Sequence, residues 1–278
     1  MNGAVAAARR RLELGPGARP RSRSLVSPPP GGLATTLAPP QPWRIQRLRH
    51  CSSTETELDR LLLAGASAPL VVLADRQSRG QGQQGRPWSS PRGGVWLSAA
   101  LPWPEQAEPA AALGLAVAVG LALELESLGL AVRIKWPNDL LIGDRKLAGL
   151  LPRLRRRGPR IVLARVGLGL NGWNRVPAGG ISLAAALAAR PRNRLTAAGT
   201  RWLADPLPLA ARLLRGLDWA CARAHQAELV RCEAQARLWL PAPAIAHEGE
   251  LWQAQGLGLD GSLVISRAGE QRSLHRYF

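Results

Sequence analysis

"KWPNDLLIGDRKLAG", Lys135 to Gly149, is the stretch whose reading decides the fold. The chain carries 37 Lys and Arg, yet its only lysines are Lys135 and Lys146, and both lie in this stretch. An ammonium is a compact point charge, whereas a guanidinium is a broad planar fork. A chain that otherwise uses arginine has kept a small cation at two nearby positions. The same residues declare local structure. "AVRIKW", "DLLIG" and "RKLAGLL" read as short apolar strands, the last two joined by a tight Gly143-Asp144 turn.

Outward from this stretch the pattern alternates helix and strand. "SSTETELDRLLLAG" opens with Ser and Thr caps and places Leu58, Leu61, Leu62 and Leu63 at helical spacing. "APLVVLAD", "GGVWLSAALPW" and "RIVLARVGLGLN" read as strands. Glu105 to Leu128 reads as one long, mostly apolar, buried helix, and 181–232 as helical, broken by Pro206 and Pro208. The tail reads as three or four short strands around an Asp260-Gly261 turn. The expectation is an α+β fold with a mixed or antiparallel sheet, followed by a small all-β domain.

Composition narrows the function classes. With 278 residues, 46% hydrophobic and 20% charged, the chain is long and apolar enough for a large core. Its longest apolar run, Ala110 to Leu123, is too short to span a bilayer. Three widely spaced cysteines and four scattered histidines give neither a disulfide framework nor a metal signature, and the cytoplasm is the expected compartment. The net charge of +18 raises nucleic-acid binding. Its location argues against that, because it concentrates in residues 1–49 and in Arg153 to Arg160, without interleaved aromatics. An acidic protein partner suits such a surface equally well.

"GQGQQG", Gly80 to Gly85, matches a dinucleotide-binding spacing, but "RPWSSPRGG" follows it and cannot open the helix that motif needs. Two readings stay open for this polar loop: a plain flexible connection, or a cover over a ligand with backbone N–H groups turned to phosphate. "PND", likewise, is ordinary turn chemistry taken alone.

Three segments in order, "DRQSRGQGQQGRPWSSPRGG", "KWPNDLLIGDRKLAGLL" and "VGLGLN", resemble the biotin–protein ligases. "GLGLDGSLVI" is similar to that family's small C-terminal barrel. The resemblance implies a class II synthetase-like catalytic domain over residues 46–232 and an SH3-like domain over 233–278, after a disordered basic, proline-rich extension over 1–45. Residues 1–50 do not resemble the helix-turn-helix of the family's bifunctional members, so no specific DNA binding is expected. The implied activity joins biotin to a lysine of a biotin carboxyl carrier domain. ATP, with Mg²⁺, is the second substrate and biotinyl-adenylate the intermediate. A monomer or homodimer is expected, with no membrane attachment. Lipoate ligation, on the same fold, and nucleic-acid binding are the alternatives.

Motif position also implies site residues. Biotin contacts fall on Ser53, Thr54, Gln77, Gln81, Gly82, Gln83 and Lys146. Contacts to ATP and the adenylate fall on Gly80, Gly85, Arg86, Trp88, Lys135, Asn138 and Asn171. Lys146 and Asp139 are the implied catalytic pair, the lysine offsetting charge where two anions meet and the aspartate receiving the incoming amine. One departure stands out. The common family loop reads G-R-G-R-x-G-R, and here Gln81 and Gln83 replace two of its arginines.

Overall fold

The apolar segments assemble into two sheets. In this computed structural model, residues 42–106, 112–190, 206–242 and 244–275 are described. Most of the expected N-terminal extension, up to residue 41, lies outside them.

The first sheet has eight strands: β1 (Arg44–Leu48), β2 (Leu70–Ala74), β3 (Val95–Leu101), β4 (Val132–Lys135), β5 (Asp139–Ile142), β6 (Arg145–Arg157), β7 (Arg160–Leu170) and β8 (Leu238–Trp239). Their order is β1-β2-β3-β7-β6-β5-β4-β8. The two outermost pairs, β1 with β2 and β4 with β8, are parallel and the rest antiparallel. This is the mixed sheet expected. β2 and β3 are buried along their whole length, which is why both read as unbroken apolar runs.

Five helices pack on the sheet and on one another: α1 (Thr54–Leu63), α2 (Leu113–Glu126), α3 (Leu183–Ala188), α4 (Pro206–Ala222) and α5 (Ala227–Ala236). α2 is apolar on nearly every side because strands cover it below and α4 and α5 cover it above. Gly120 of α2 meets Gly216 of α4 backbone to backbone, a contact that a side chain at either position would block. The expected helix from Glu105 is shorter. Gln106 instead forms a bridge with Arg160, and the described helix starts at Leu113.

The second sheet is antiparallel: β9 (Ala244–His247), β10 (Glu250–Leu257), β11 (Leu263–Arg267) and β12 (Glu270–Leu274), in the order β12-β11-β10-β9. It begins at Ala244, so the residues just after 233 finish α5 and supply β8 to the first sheet. Hydrogen bonds among the described residues join it to the rest of the chain. Trp136 Nε1 donates to Gly261 O at 2.9 Å, and Leu257 N donates to the Gln235 side chain at 2.8 Å.

β6 and β7, the two longest strands, form a ribbon in which Gly149 faces Gly169, Leu151 faces Gly167, Arg153 faces Arg165, and Arg157 faces Arg160. All these residues point to one face, the face that α1 covers at its inner end.

Candidate active site

A cavity of 630 Å³ opens over the inner end of the β6–β7 ribbon. Its floor is bare because glycine stands where strand side chains would project. A Cβ on Gly149 would lie 3.0 Å from the Trp88 ring, and one on Gly169 would overlap the indole. Trp88 therefore packs directly on strand backbone, and its buried indole N–H has no partner among the described residues.

Lys146 Nζ sits 4.9 Å from the Trp88 ring centre and 2.6 Å from Asp139 Oδ1. The contact with Asp139 is an ion pair rather than an aligned hydrogen bond. Lys146 is the second residue of β6 and Asp139 opens β5, and the β5–β6 hairpin carries both. Lys135 lines the same cavity with its ammonium 5.7 Å from the Trp239 ring centre. Asn138 is buried and donates to Leu150 O at 2.6 Å, pinning the "PND" turn to β6. Asn171 also lines the cavity. Its side-chain oxygen accepts from Asn174 at 3.2 Å, and its backbone carbonyl accepts from Leu183 N at 2.8 Å.

The other end of the cavity is polar, lined by hydroxyls, amides and the carboxylate of Glu55. Gln77 Oε1 accepts from the N–H and the hydroxyl of Thr54, at 2.7 and 3.0 Å, and Gln77 Nε2 donates to Ser90 Oγ at 2.9 Å. Thr54 also meets Ser98 Oγ at 2.9 Å. Ser53 occupies the N-cap of α1, but its side chain caps nothing and faces the cavity instead. Cys51, just before it, is no nucleophile at neutral pH, because burial and the nearby Glu57 push its thiol up to about 11.

The glutamine-rich loop is more ordered than a flexible connection. Gly82 N donates to Arg86 O and Trp88 N to Gly80 O, both at 2.8 Å, closing a small hairpin around a 3₁₀ turn at Gln83–Gly85. Gln84 takes a left-handed conformation there, with φ at 55°. Gln81, Gly82, Gln83 and Arg86 line the cavity, whereas Gly80 and Gly85 do not. Gly80 is packed behind it against Ser90 and Gln77. Every other residue singled out in the sequence lies on the cavity wall. Among the described residues no three His, Cys, Asp or Glu side chains converge as metal ligands. No helix among them is long and apolar enough to cross a membrane.

Residues 48–171 match the model of the biotin/lipoate A/B protein ligase family. The chain is 36% identical over 130 residues to the biotin–[acetyl-CoA-carboxylase] ligase of Paracoccus denitrificans, covering 45% of this chain and 52% of that protein. It is 37% identical over 123 residues to the bifunctional ligase/repressor BirA of Bacillus subtilis, covering 43% and 38%. These matches thus span about half, or less, of the relatives' own length. The likeness in fold is wider. The biotin protein ligase of Aquifex aeolicus, solved with biotin and ATP, superposes with a TM-score of 0.64 at 21% identity, over 83% of this chain and 95% of that one. The fold is that of the biotin protein ligases, and the four-stranded sheet is its second β element.

Several residues of the cavity wall escaped the sequence reading. Ser98 and Glu55 line the cavity although nothing in their own segments marks them. Gly149, Gly167 and Gly169 were visible in principle, because glycines two apart in an apolar strand mark a close approach to one face.

Proposed function

We propose that the protein is an ATP-dependent biotin–protein ligase. The observation that carries this reading is the Lys146–Asp139 pair, held beneath Trp88 at one end of a cavity whose other end is lined by hydroxyls and amides. A carboxylate and a polyphosphate repel each other. A fixed ammonium between them stabilises the charge that moves as the carboxylate oxygen attacks the α-phosphorus and pyrophosphate leaves. Lys146 fills that role. Trp88 and the loop from Gln81 to Arg86 keep water from the mixed anhydride.

In the second step the amine of a carrier lysine attacks the biotinyl carbonyl and AMP leaves. Asp139 receives the proton from that amine. Asn138 and Asn171 act by holding the turn and strand that present the lysine pair, since their side chains are engaged with Leu150 and Asn174. The partner is the biotin carboxyl carrier domain of acetyl-CoA carboxylase, and Mg²⁺ enters with ATP. The compartment is the cytoplasm.

Pyrophosphate release with biotin, ATP and Mg²⁺, with and without a carrier domain, tests the reading. Release that needs biotin, with label transferred to the carrier, supports it. No biotin-dependent release from folded protein overturns it.

A further inference from the structure

Of the acids in the cavity wall, Glu55 and Asp144 have no part in the proposed chemistry, and Glu55 is the one whose carboxylate is buried without a donor. Both of its carboxylate oxygens are buried, and no donor among the described residues reaches either. It stands over the bare backbone of Gly167, where a Cβ would lie 3.0 Å from Oε1. Its cationic neighbours along the ribbon do not relieve it. Arg165, the next residue on that face, is paired with Asp59. The first turn of a helix favours negative charge, but only modestly. A buried carboxylate without a donor is costly, so its presence at a binding wall points to a donor supplied by the ligand.

Hydrogen-bond accounting says which part of the ligand that is. Both lone pairs of Gln77 Oε1 are taken by Thr54. The Thr54 hydroxyl gives its hydrogen to Gln77 and therefore accepts from Ser98. Gln77 and Thr54 are thus largely committed to each other, and what they still offer is one amide N–H and one lone pair of the Thr54 hydroxyl, too few acceptors for two ring N–H groups. Ser53, with an uncommitted hydroxyl, offers a donor as well. A cyclic urea presents one carbonyl and two N–H groups. Ser53 and the spare Gln77 N–H suit the carbonyl, and the N–H groups need an acceptor of their own. Glu55 is the buried acceptor with nothing donating to it.

We infer that Glu55 is a specificity-determining residue: its carboxylate accepts from the ring N–H of the acid substrate and excludes acids whose ring has no donor. The inference rests on the ligase reading and deepens it. It separates the two substrates in the family's name, because a dithiolane ring carries no N–H and would leave this carboxylate desolvated and unpaired.

The test compares wild type with Glu55→Gln and Glu55→Leu, using biotin, desthiobiotin and lipoate in the pyrophosphate assay, alongside thermal unfolding of the ligand-free proteins. Glu55→Gln replaces a charge-assisted hydrogen bond by a neutral one, and it raises the KM for biotin and desthiobiotin alike, by about 10-fold, with the KM for ATP unchanged. Glu55→Leu weakens biotin use further and raises lipoate turnover above wild type. Ligand-free Glu55→Gln unfolds at a higher temperature than wild type, since an unpaired buried charge has been removed. A biotin KM within about twofold of wild type in folded Glu55→Gln overturns the inference, given the size of such hydrogen bonds. So does a lowered unfolding temperature, which would make Glu55 a structural support. Absence of biotin-dependent release from wild type refutes the ligase reading instead.

Discussion

The two ends of the β6–β7 ribbon share one face and one pair of strands, with a single register shift at Arg155–Arg156, yet they have opposite contents. At the inner end Gly149, Gly167 and Gly169 leave the backbone bare, and Trp88 and Glu55 descend onto it. At the outer end Arg153 faces Arg165 and Arg157 faces Arg160, with Arg155 and Arg156 between them. Only two of these six arginines form ion pairs among the described residues, Arg165 with Asp59 and Arg160 with Glu105. The inner end is a site because side chains are missing. The outer end is a charged surface because nothing requires them to be. Within a few residues, the same strands go from positions where one methyl group is decisive to positions where whole side chains are interchangeable.

Lys146→Arg breaks the inner end hardest. The charge remains, but a planar fork replaces a point cation beneath Trp88 and beside Asp139. Biotin-dependent pyrophosphate release falls about 100- to 1,000-fold, the loss typical of one transition-state contact, while circular dichroism stays native. Near-normal release from folded Lys146→Arg would remove the lysine from the chemistry. Gly169→Ala comes next. Its methyl group overlaps the indole and lifts Trp88 from the floor, and adenylation falls about 100-fold, as expected for a displacement of about an ångström at a reacting centre. The comparison with Gly120→Ala is informative, because Gly120 lies between α2 and α4. That variant loses stability, whereas Gly169→Ala loses activity with its unfolding temperature nearly kept.

Much of this was legible beforehand, for identifiable reasons. β2 and β3 are buried along their length and read as continuous apolar runs. Most of the cavity wall comes from three segments that glycine, asparagine and lysine already marked in the sequence. Other features were hidden. β1, "RIQRL", is an edge strand, largely exposed, and its polar face erased the apolar signal. β6 continues through Arg157, although Arg153 to Arg157 resemble a solvated turn, because pairing with β7 outweighs the local preference of those side chains. β8 is two residues long and exists only through contact with β4. Ser98 and Glu55 are ordinary in their segments, and only the tertiary fold brings them to one wall.

The loop offers a smaller and sharper test. A chain this rich in arginine places Gln81 and Gln83 on the cavity wall, and the buried Gln83 amide nitrogen has no partner among the described residues. Gln83→Arg supplies a charge-assisted donor, roughly twice as strong as a neutral one, to an anionic intermediate. Release of labelled adenylate in a single turnover slows about 5- to 10-fold, and stray biotinylation of bystander proteins declines with it. Equal release rates would show that the glutamines already close the site as well as arginine does.

The outer end should respond in stability and not in activity. Arg157 and Arg160 are directly opposed at the exposed tip of the ribbon, and like charges in that relation repel. Arg160 also pairs with Glu105 at 2.9 Å, but both side chains are largely exposed, so that pair is worth little. Arg157→Glu turns the cross-strand repulsion into attraction and stabilises the fold by about 0.5 kcal/mol, near the middle of the range for such pairs. The gain shrinks at 1 M salt, where the screening length falls to about 3 Å. Adenylation stays within about twofold of wild type, because no exposed charge at the tip reaches the floor beneath Trp88. A large loss of adenylation in Arg157→Glu would mean that the two ends of the ribbon are coupled, and that the arginines at its tip belong to the site. A large loss confined to transfer onto the carrier, with adenylation intact, would instead place the carrier's docking surface on this tip.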